Sequence, residues 1–268
     1  MAINEFLFKT IEEEGERLNI PIGKKRALIR EYLQTRVIAS LYEKTKSKQL
    51  SFIGGTSLRL LRGLDRFSED LDFDNLGLSF PQINGLFEEI VAGLNREGFE
   101  ATFGFKKTDH SGIGAIKFPK LLFELKISGH AEEKLMIKVD YTTPRFKPKT
   151  EFVALNRFGF VGQILTNTKE VLLAEKITAI INRRDPQPRD FYDTVWLMSR
   201  NIKPDPEVLK ASGFQSEGTA FAGALDVFNR KAAHNILNFK RRLEPFLINP
   251  ENIRFIAMFA DVVSKKVE

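Results

Sequence analysis

Two short stretches carry the residue types that phosphoryl chemistry needs. Ser51-Phe52-Ile53-Gly54-Gly55-Thr56-Ser57 joins an apolar run to a glycine pair and two hydroxyls, and Arg66-Phe67-Ser68-Glu69-Asp70-Leu71-Asp72-Phe73-Asp74 follows with aspartates two residues apart. Leu50, Phe52 and Ile53 have strand character, whereas Gly54 and Gly55 can take backbone angles closed to other residues and admit a close neighbour. The spacing then predicts a short helix over 56–62. A helix beginning behind glycines leaves several N–H groups pointing outward, and Thr56 or Ser57 would add a hydroxyl beside them, which suits a phosphate oxyanion.

Over residues 70–74 strict alternation sends Leu71 and Phe73 to one face of a strand and Asp70, Asp72 and Asp74 to the other. Carboxylates crowded in this way repel one another unless a cation neutralises them. Mg²⁺ suits them because it takes oxygen ligands, keeps waters and completes its shell with substrate phosphates. The plainer alternative is a solvated acidic edge, or a turn before Asn75.

Leu135-Met136-Ile137-Lys138-Val139-Asp140-Tyr141 also alternates, with Lys138 and Asp140 on the polar side. Alone, such a pair would be a surface ion pair worth about 0–1 kcal/mol. Beside an aspartate cluster it offers the further carboxylate that two-metal transfer needs near an attacking hydroxyl. Asn167-Thr168-Lys169-Glu170 has the spacing of a capping box and opens a helix on which Lys176 and Arg183, seven apart, share one side. Two such cations could hold a triphosphate, or they could form an ordinary solvated face with Glu175 and Arg184. Pro186 and Pro188 break the chain before another helix, where Arg189, Asp190 and Asp193 meet on one surface. Acids in a first turn also complement the helix dipole without any further role.

The elements that must position these residues follow from periodicity. Residues 24–44 read as a helix, 81–97 as a second helix opened by proline, and 99–105, 113–118, 121–127 and 134–141 as short strands in an antiparallel meander. The Pro- and Lys-rich stretch 142–149 breaks that pattern, and beyond Asn167 nearly everything reads as helical. The predicted division is a core with N-terminal helices over 1–150 and a mainly helical portion over 151–268. The 24 Phe residues against 4 Tyr and 1 Trp are expected to fill core, since Phe has no polar handle.

Composition narrows the chemistry. The absence of cysteine excludes disulfides and cysteine-ligated zinc, and His110, His130 and His234 stand singly, which argues against a histidine metal site. The balance of 41 Lys and Arg against 35 Asp and Glu, a net charge of +6, favours contact with a polyanion. No apolar run approaches a membrane span and the N-terminus has no leader pattern, so a soluble cytoplasmic protein without membrane contact is expected.

Taken in order, Gly54-Gly55-Thr56-Ser57-Leu58 through Arg66-Phe67-Ser68-Glu69-Asp70-Leu71-Asp72-Phe73, then Lys138-Val139-Asp140, Glu175-Lys176 to Arg183, and Arg189-Asp190-Phe191-Tyr192-Asp193 resemble the four motifs of the AbiEii/AbiGii toxin family of nucleotidyltransferases. The resemblance implies an α+β fold, a polymerase-beta-like nucleotidyltransferase core with a small mixed sheet and a helical C-terminal region. It implies Mg²⁺-dependent transfer of NMP from an NTP with release of pyrophosphate. Asp70, Asp72 and Asp140 would be the metal ligands and, with Lys176, the catalytic set. Gly54, Gly55, Thr56, Ser57, Lys138, Lys176, Arg183, Arg189, Asp190 and Asp193 would surround the nucleotide. Asp74 departs from the pattern and leaves Asp72 with Asp74 as the alternative metal pair. The implied partners are an RNA acceptor, a tRNA 3′ end, and a cognate antitoxin, in a toxin–antitoxin or phage-defence setting. Transfer to a protein or to a small molecule such as an aminoglycoside, and a catalytically silent binding module, are the alternatives.

Overall fold

The computed structural model describes residues 3–108 and 111–267, so His110 lies outside the described residues. In chain order it contains α1 (Ile3–Arg17), α2 (Lys25–Tyr42), β1 (Leu50–Ile53), α3 (Gly54–Arg62), β2 (Leu71–Asn75), α4 (Phe80–Arg96), β3 (Thr102–Lys107), β4 (Ser111–Phe118), α5 (Leu121–Glu124), β5 (Leu135–Thr142), β6 (Thr150–Arg157) and β7 (Phe160–Asn167). The helices α6 (Lys169–Asn182), α7 (Pro188–Met198), α8 (Pro206–Ala211), α9 (Glu217–Val227), α10 (Ile236–Leu243), α11 (Arg254–Ala257) and α12 (Phe259–Ser264) complete it.

The chain forms two compact units that interleave along the sequence. One comprises Met1–Gly63, Phe67–Pro144 and Glu151–Thr166; the other comprises Leu64–Arg66, Arg145–Thr150 and Asn167–Glu268. Residues 151–166 join the first unit because they return to its sheet as β6 and β7.

That sheet has seven strands in the order β3-β4-β5-β2-β1-β7-β6. It is mixed: β1 runs antiparallel to β2, while β5 and β7 lie parallel to β2 and β1 respectively. The expected meander holds for β3, β4 and β5, which pair antiparallel. Between β4 and β5, however, residues 121–127 form a helical turn and no strand. Leu121, Leu122 and Leu125 are buried and Phe123 is exposed. That is the spacing of one helical turn, which a short apolar run does not distinguish from alternation. The β6–β7 hairpin is also absent from the expected elements. It closes through Phe158 (φ 51°) and Gly159 (φ 79°), the two left-handed residues of a tight hairpin loop.

Burial explains the phenylalanine excess. On one face of the sheet, Phe73, Phe103 and Phe105 meet Phe87 from α4 and Tyr141 meets Phe105, with neighbouring ring centroids 5.4–6.2 Å apart. Gly112 and Gly114 in β4 give these rings room: a Cβ at Gly112 would stand 2.3 Å from the Tyr141 ring, and at Gly114 2.0 Å from Phe105. In the second unit Phe191 is ringed by Phe228, Phe239 and Phe259.

Candidate active site

Of the glycine pair, Gly54 shows the backbone freedom and the close neighbour expected of it. β1 leads directly into α3, whose first residue Gly54 has φ +76°, a left-handed value that costs other residues energy. Space is equally restrictive there, because a Cβ would lie 2.4 Å from Oδ2 of Asp72. The missing side chain therefore lets the Asp72 carboxylate rest against the start of α3. The helix N-cap, Ile53, offers no side-chain oxygen to the first N–H groups.

The hydroxyls serve a different purpose from the one expected of them. Thr56 Oγ1 donates to the Asp70 carbonyl at 2.5 Å and Ser57 Oγ donates to the Gly54 carbonyl at 3.0 Å, with both side chains buried. Each proton is already committed inside the fold, so any phosphate contact at this helix start falls to main-chain N–H groups. Thr56 in turn fastens the approach to β2.

Two helices hold that approach from other sides. Arg30 and Gln34 of α2 reach Glu69 at 2.5 Å and the Ser68 carbonyl at 3.2 Å. Arg59 of α3 makes two bonds to Glu31 of α2, at 2.7 and 3.1 Å, and Arg157 at the end of β6 shares the same carboxylate. Glu31 is buried with Arg59, so this ion pair fixes α3 against α2. None of these supporting residues was read from sequence. For Arg30, Glu31 and Gln34 the one signal is a row of polar side chains on a helix rich in buried residues; Arg59 and Arg157 carry none.

Strand register assembles the carboxylates. In the parallel pairing of β2 with β5, Asp72 lies beside Asp140 and Asp74 beside Thr142; across the antiparallel pairing with β1, Asp72 faces Ile53 and Asp74 faces Ser51. Directly paired residues share a face, so Asp72 and Asp140 emerge side by side while Phe73 and Tyr141 point into the core. Asp70, Asp72 and Asp140 are half-buried, and Asp74 is buried. Burial raises the Asp140 carboxyl above its ordinary pKa, the Asp70 charge adds to this, and Lys138, exposed two residues earlier, partly offsets it. Oδ1 of Asp140 is buried and has no hydrogen-bond partner.

Among the described residues, no three carboxylate or imidazole groups are gathered into a ready-made metal centre. The donors nevertheless fit a hard cation. All are oxygens, Asp140 Oδ1 lacks a partner, and a Mg²⁺ site typically uses one or two carboxylates plus waters and substrate phosphates.

The remaining predicted residues lie in the second unit. Lys176 Nζ sits 2.9 Å from Asp190 and 2.8 Å from Asp193, and Arg183 also pairs with Asp190. Asp193 is gripped at the same time by Arg66, through bonds of 2.7 and 2.6 Å. Lys176 and Arg183 thus form neither a solvated face nor an open pair of cations; they share a buried carboxylate. Burial opposes the Lys176 ammonium, but Asp190 and Asp193 outweigh it and hold its pKa above the ordinary value. Arg189 is half-buried on the first turn of α7. Asn167 does not cap α6, because β7 continues through it; Thr168 takes the N-cap position and the Asn167 amide bonds Glu175 at 2.8 Å.

Comparison with known proteins bears on the fold and the family. JHP933 from Helicobacter pylori has a similar structure (TM-score 0.57, 16% identity, 90% of this chain and 93% of that one covered). So has MenT4, a nucleotidyltransferase toxin from Mycobacterium tuberculosis (TM-score 0.58, 16% identity, 98% and 90% covered). At such identities the likeness is one of fold. No curated protein sequence matches the chain. No helix among the described residues is long and apolar enough to cross a membrane. The family described as "Nucleotidyl transferase AbiEii toxin, Type IV TA system" matches residues 36–262, most of the length, and the chain belongs to that family of nucleotidyltransferases.

Proposed function

We propose that this chain transfers a nucleoside monophosphate from an NTP to RNA, at a tRNA 3′ end, with Mg²⁺ held by Asp70, Asp72 and Asp140. The observation that carries this reading is Asp140, whose buried and unpartnered Oδ1 lies on the strand beside Asp72 and whose protonation is promoted by burial and by Asp70. A bound divalent cation would supply charge neutralisation for these carboxylates and for the leaving pyrophosphate. The chain's own part is positioning. Gly54 and Gly55 present main-chain N–H groups to phosphate, and Gly54 leaves room for Asp72. Asp190 and Asp193 keep Lys176 charged for a phosphate contact. Nothing in this set resembles an activated nucleophile, as expected of a transfer that relies on orientation and electrostatics.

As a toxin of its family, the protein would act with a cognate antitoxin, in a phage-defence setting. The decisive experiment follows label from each NTP, with Mg²⁺, into gel-resolved RNA and protein. Label in a tRNA-sized band, abolished by chelation, is the expected outcome. Label confined to protein would overturn the RNA acceptor.

A further inference from the structure

The sheet face that carries Asp140 is uncovered well beyond the carboxylates. On β4, Ile113 lies opposite Asp140, Ala115 opposite Lys138 and Lys117 opposite Met136; on β3, Lys106 lies opposite Ile113, Gly104 opposite Ala115 and Thr102 opposite Lys117. The other face of these strands is buried under α4, so the alternation that sends Phe103 and Phe105 inward sends Lys106 outward.

Three features of this face go together. Lys106, Lys117 and Lys138 are all exposed, and among the described residues the strand carboxylates on that face, Asp140 on β5 and Asp72 and Asp74 on β2, lie together at its β5–β2 side. Ile113 and Met136 are 54% and 41% exposed, large apolar groups set between the lysines. Gly104 and Ala115 keep the middle row low, and that row runs into Lys138, two residues before Asp140 on β5. Adjacent strands stand about 4.8 Å apart, so Lys106 on β3 is on the order of 10 Å from Asp140 on β5.

From these features we infer that the open face of β3, β4 and β5 is the platform that seats the single-stranded end of the polynucleotide acceptor, with Lys106 and Lys117 on its phosphates and Ile113 and Met136 against its bases. A basic groove that tracks the backbone binds single strands without reading sequence, and the exposed Ile113 and Met136 add apolar contact to base faces in place of the usual aromatic stack. Continuity with Asp140 through Lys138 on the same strand would deliver the terminal hydroxyl to the carboxylates. This inference rests on the RNA acceptor proposed above and adds where that acceptor lies.

The test uses the full chain and a fluorescent RNA oligonucleotide with a free 3′ end, its binding measured by anisotropy over a range of salt. Each lysine–phosphate contact to a single strand contributes about 0.7 to the slope of log affinity against log salt, so Lys106→Gln with Lys117→Gln should lower the slope by about 1.4 and weaken binding at low salt. The KM for NTP should not change. Lys107→Gln, one residue along β3 and on the opposite side by alternation, should bind as wild type. If the double variant keeps the wild-type affinity and slope while wild type still labels RNA, the platform is wrong and the RNA acceptor stands. If wild type labels only protein and does not bind the oligonucleotide, both fall together.

Discussion

Arg66 and Asp193 form a two-pronged ion pair, Nε to Oδ1 at 2.7 Å and Nη2 to Oδ2 at 2.6 Å, with neither side chain exposed to solvent. The partners are 127 residues apart in sequence. Arg66 lies four residues before Asp70, whereas Asp193 closes the last motif, so a buried bond joins residues from separate motifs of the pattern. Lys176 shares the Asp193 carboxylate.

Breaking this pair leaves an uncompensated buried charge, which typically costs about 3–5 kcal/mol. Asp193→Asn should therefore be strongly destabilised in denaturant unfolding at neutral pH. Burial opposes the Asp193 carboxylate, but Arg66 and Lys176 outweigh it and hold its pKa below the ordinary 3.8. A depressed carboxylate stabilises the fold above 3.8 and loses that contribution as pH falls below it toward the folded value. The stability gap between wild type and Asp193→Asn should accordingly be constant near neutrality and shrink as pH falls below 3.8. A gap that persists in acid would mean that the Asp193 charge is not its source.

The parts of the site that local pattern dictates were legible in the sequence. The strand, glycine turn and helix from Leu50 to Arg62, the inward Leu71 and Phe73, and the exposed Lys138 beside Asp140 all follow from periods of two or from glycine. What local pattern does not encode was not legible. The pairing of β2 with β5 that sets Asp72 beside Asp140 depends on the whole sheet order. The partners of Lys176 could not be read from residues 169–183, because the decisive neighbour, Asp193, is placed by Arg66. The residue types of Thr56 and Ser57 suit phosphate contact, yet their protons go to nearby carbonyls, an alternative that short hydroxyl side chains always have.

Gly54 and Gly63 separate backbone strain from site geometry. Both have left-handed φ, +76° and +74°, but a Cβ at Gly63 meets nothing within 4 Å whereas one at Gly54 meets Asp72. An alanine in this conformation costs about 1–2 kcal/mol. Both Gly→Ala variants should lose stability of that order, with Gly54→Ala losing more. Only Gly54→Ala should lose transfer activity, by tenfold or more in our reading, because it displaces a carboxylate of the site. Equal activities in the two variants, assayed well below their melting temperatures, would show that the Asp72 contact is without catalytic consequence.

Asp70→Ala and Asp72→Ala should abolish transfer while leaving the fold intact. Burial and the Asp70 charge both raise the Asp140 pKa, so the carboxylates of this site repel one another in the metal-free protein. Removing one should leave thermal stability in chelator unchanged or higher. Catalytic loss together with retained or increased melting temperature is the signature of a site that trades stability for metal binding. Full turnover by both variants under conditions where wild type requires Mg²⁺ would remove these residues from the site.

Lys176 is the residue for which structure and chemistry make separable predictions. Its side chain is only 12% exposed and its ammonium touches both Asp190 and Asp193. Lys176→Gln leaves those two buried carboxylates with Arg66 and Arg183 as their remaining cations, so the variant should melt at a lower temperature. If Lys176 also meets a phosphate of the NTP, the same variant should use NTP less well by a charge-assisted contact of roughly 1.5–3 kcal/mol, about ten- to a hundredfold in KM. Lys176→Arg keeps the charge but replaces a point ammonium by a planar fork, so it should recover more of the stability than of the NTP use. Steady-state kinetics below the melting temperature read the second effect without the first. A lowered melting temperature with unchanged KM would make Lys176 a structural member of the buried pair network, leaving the phosphate to the main chain of α3.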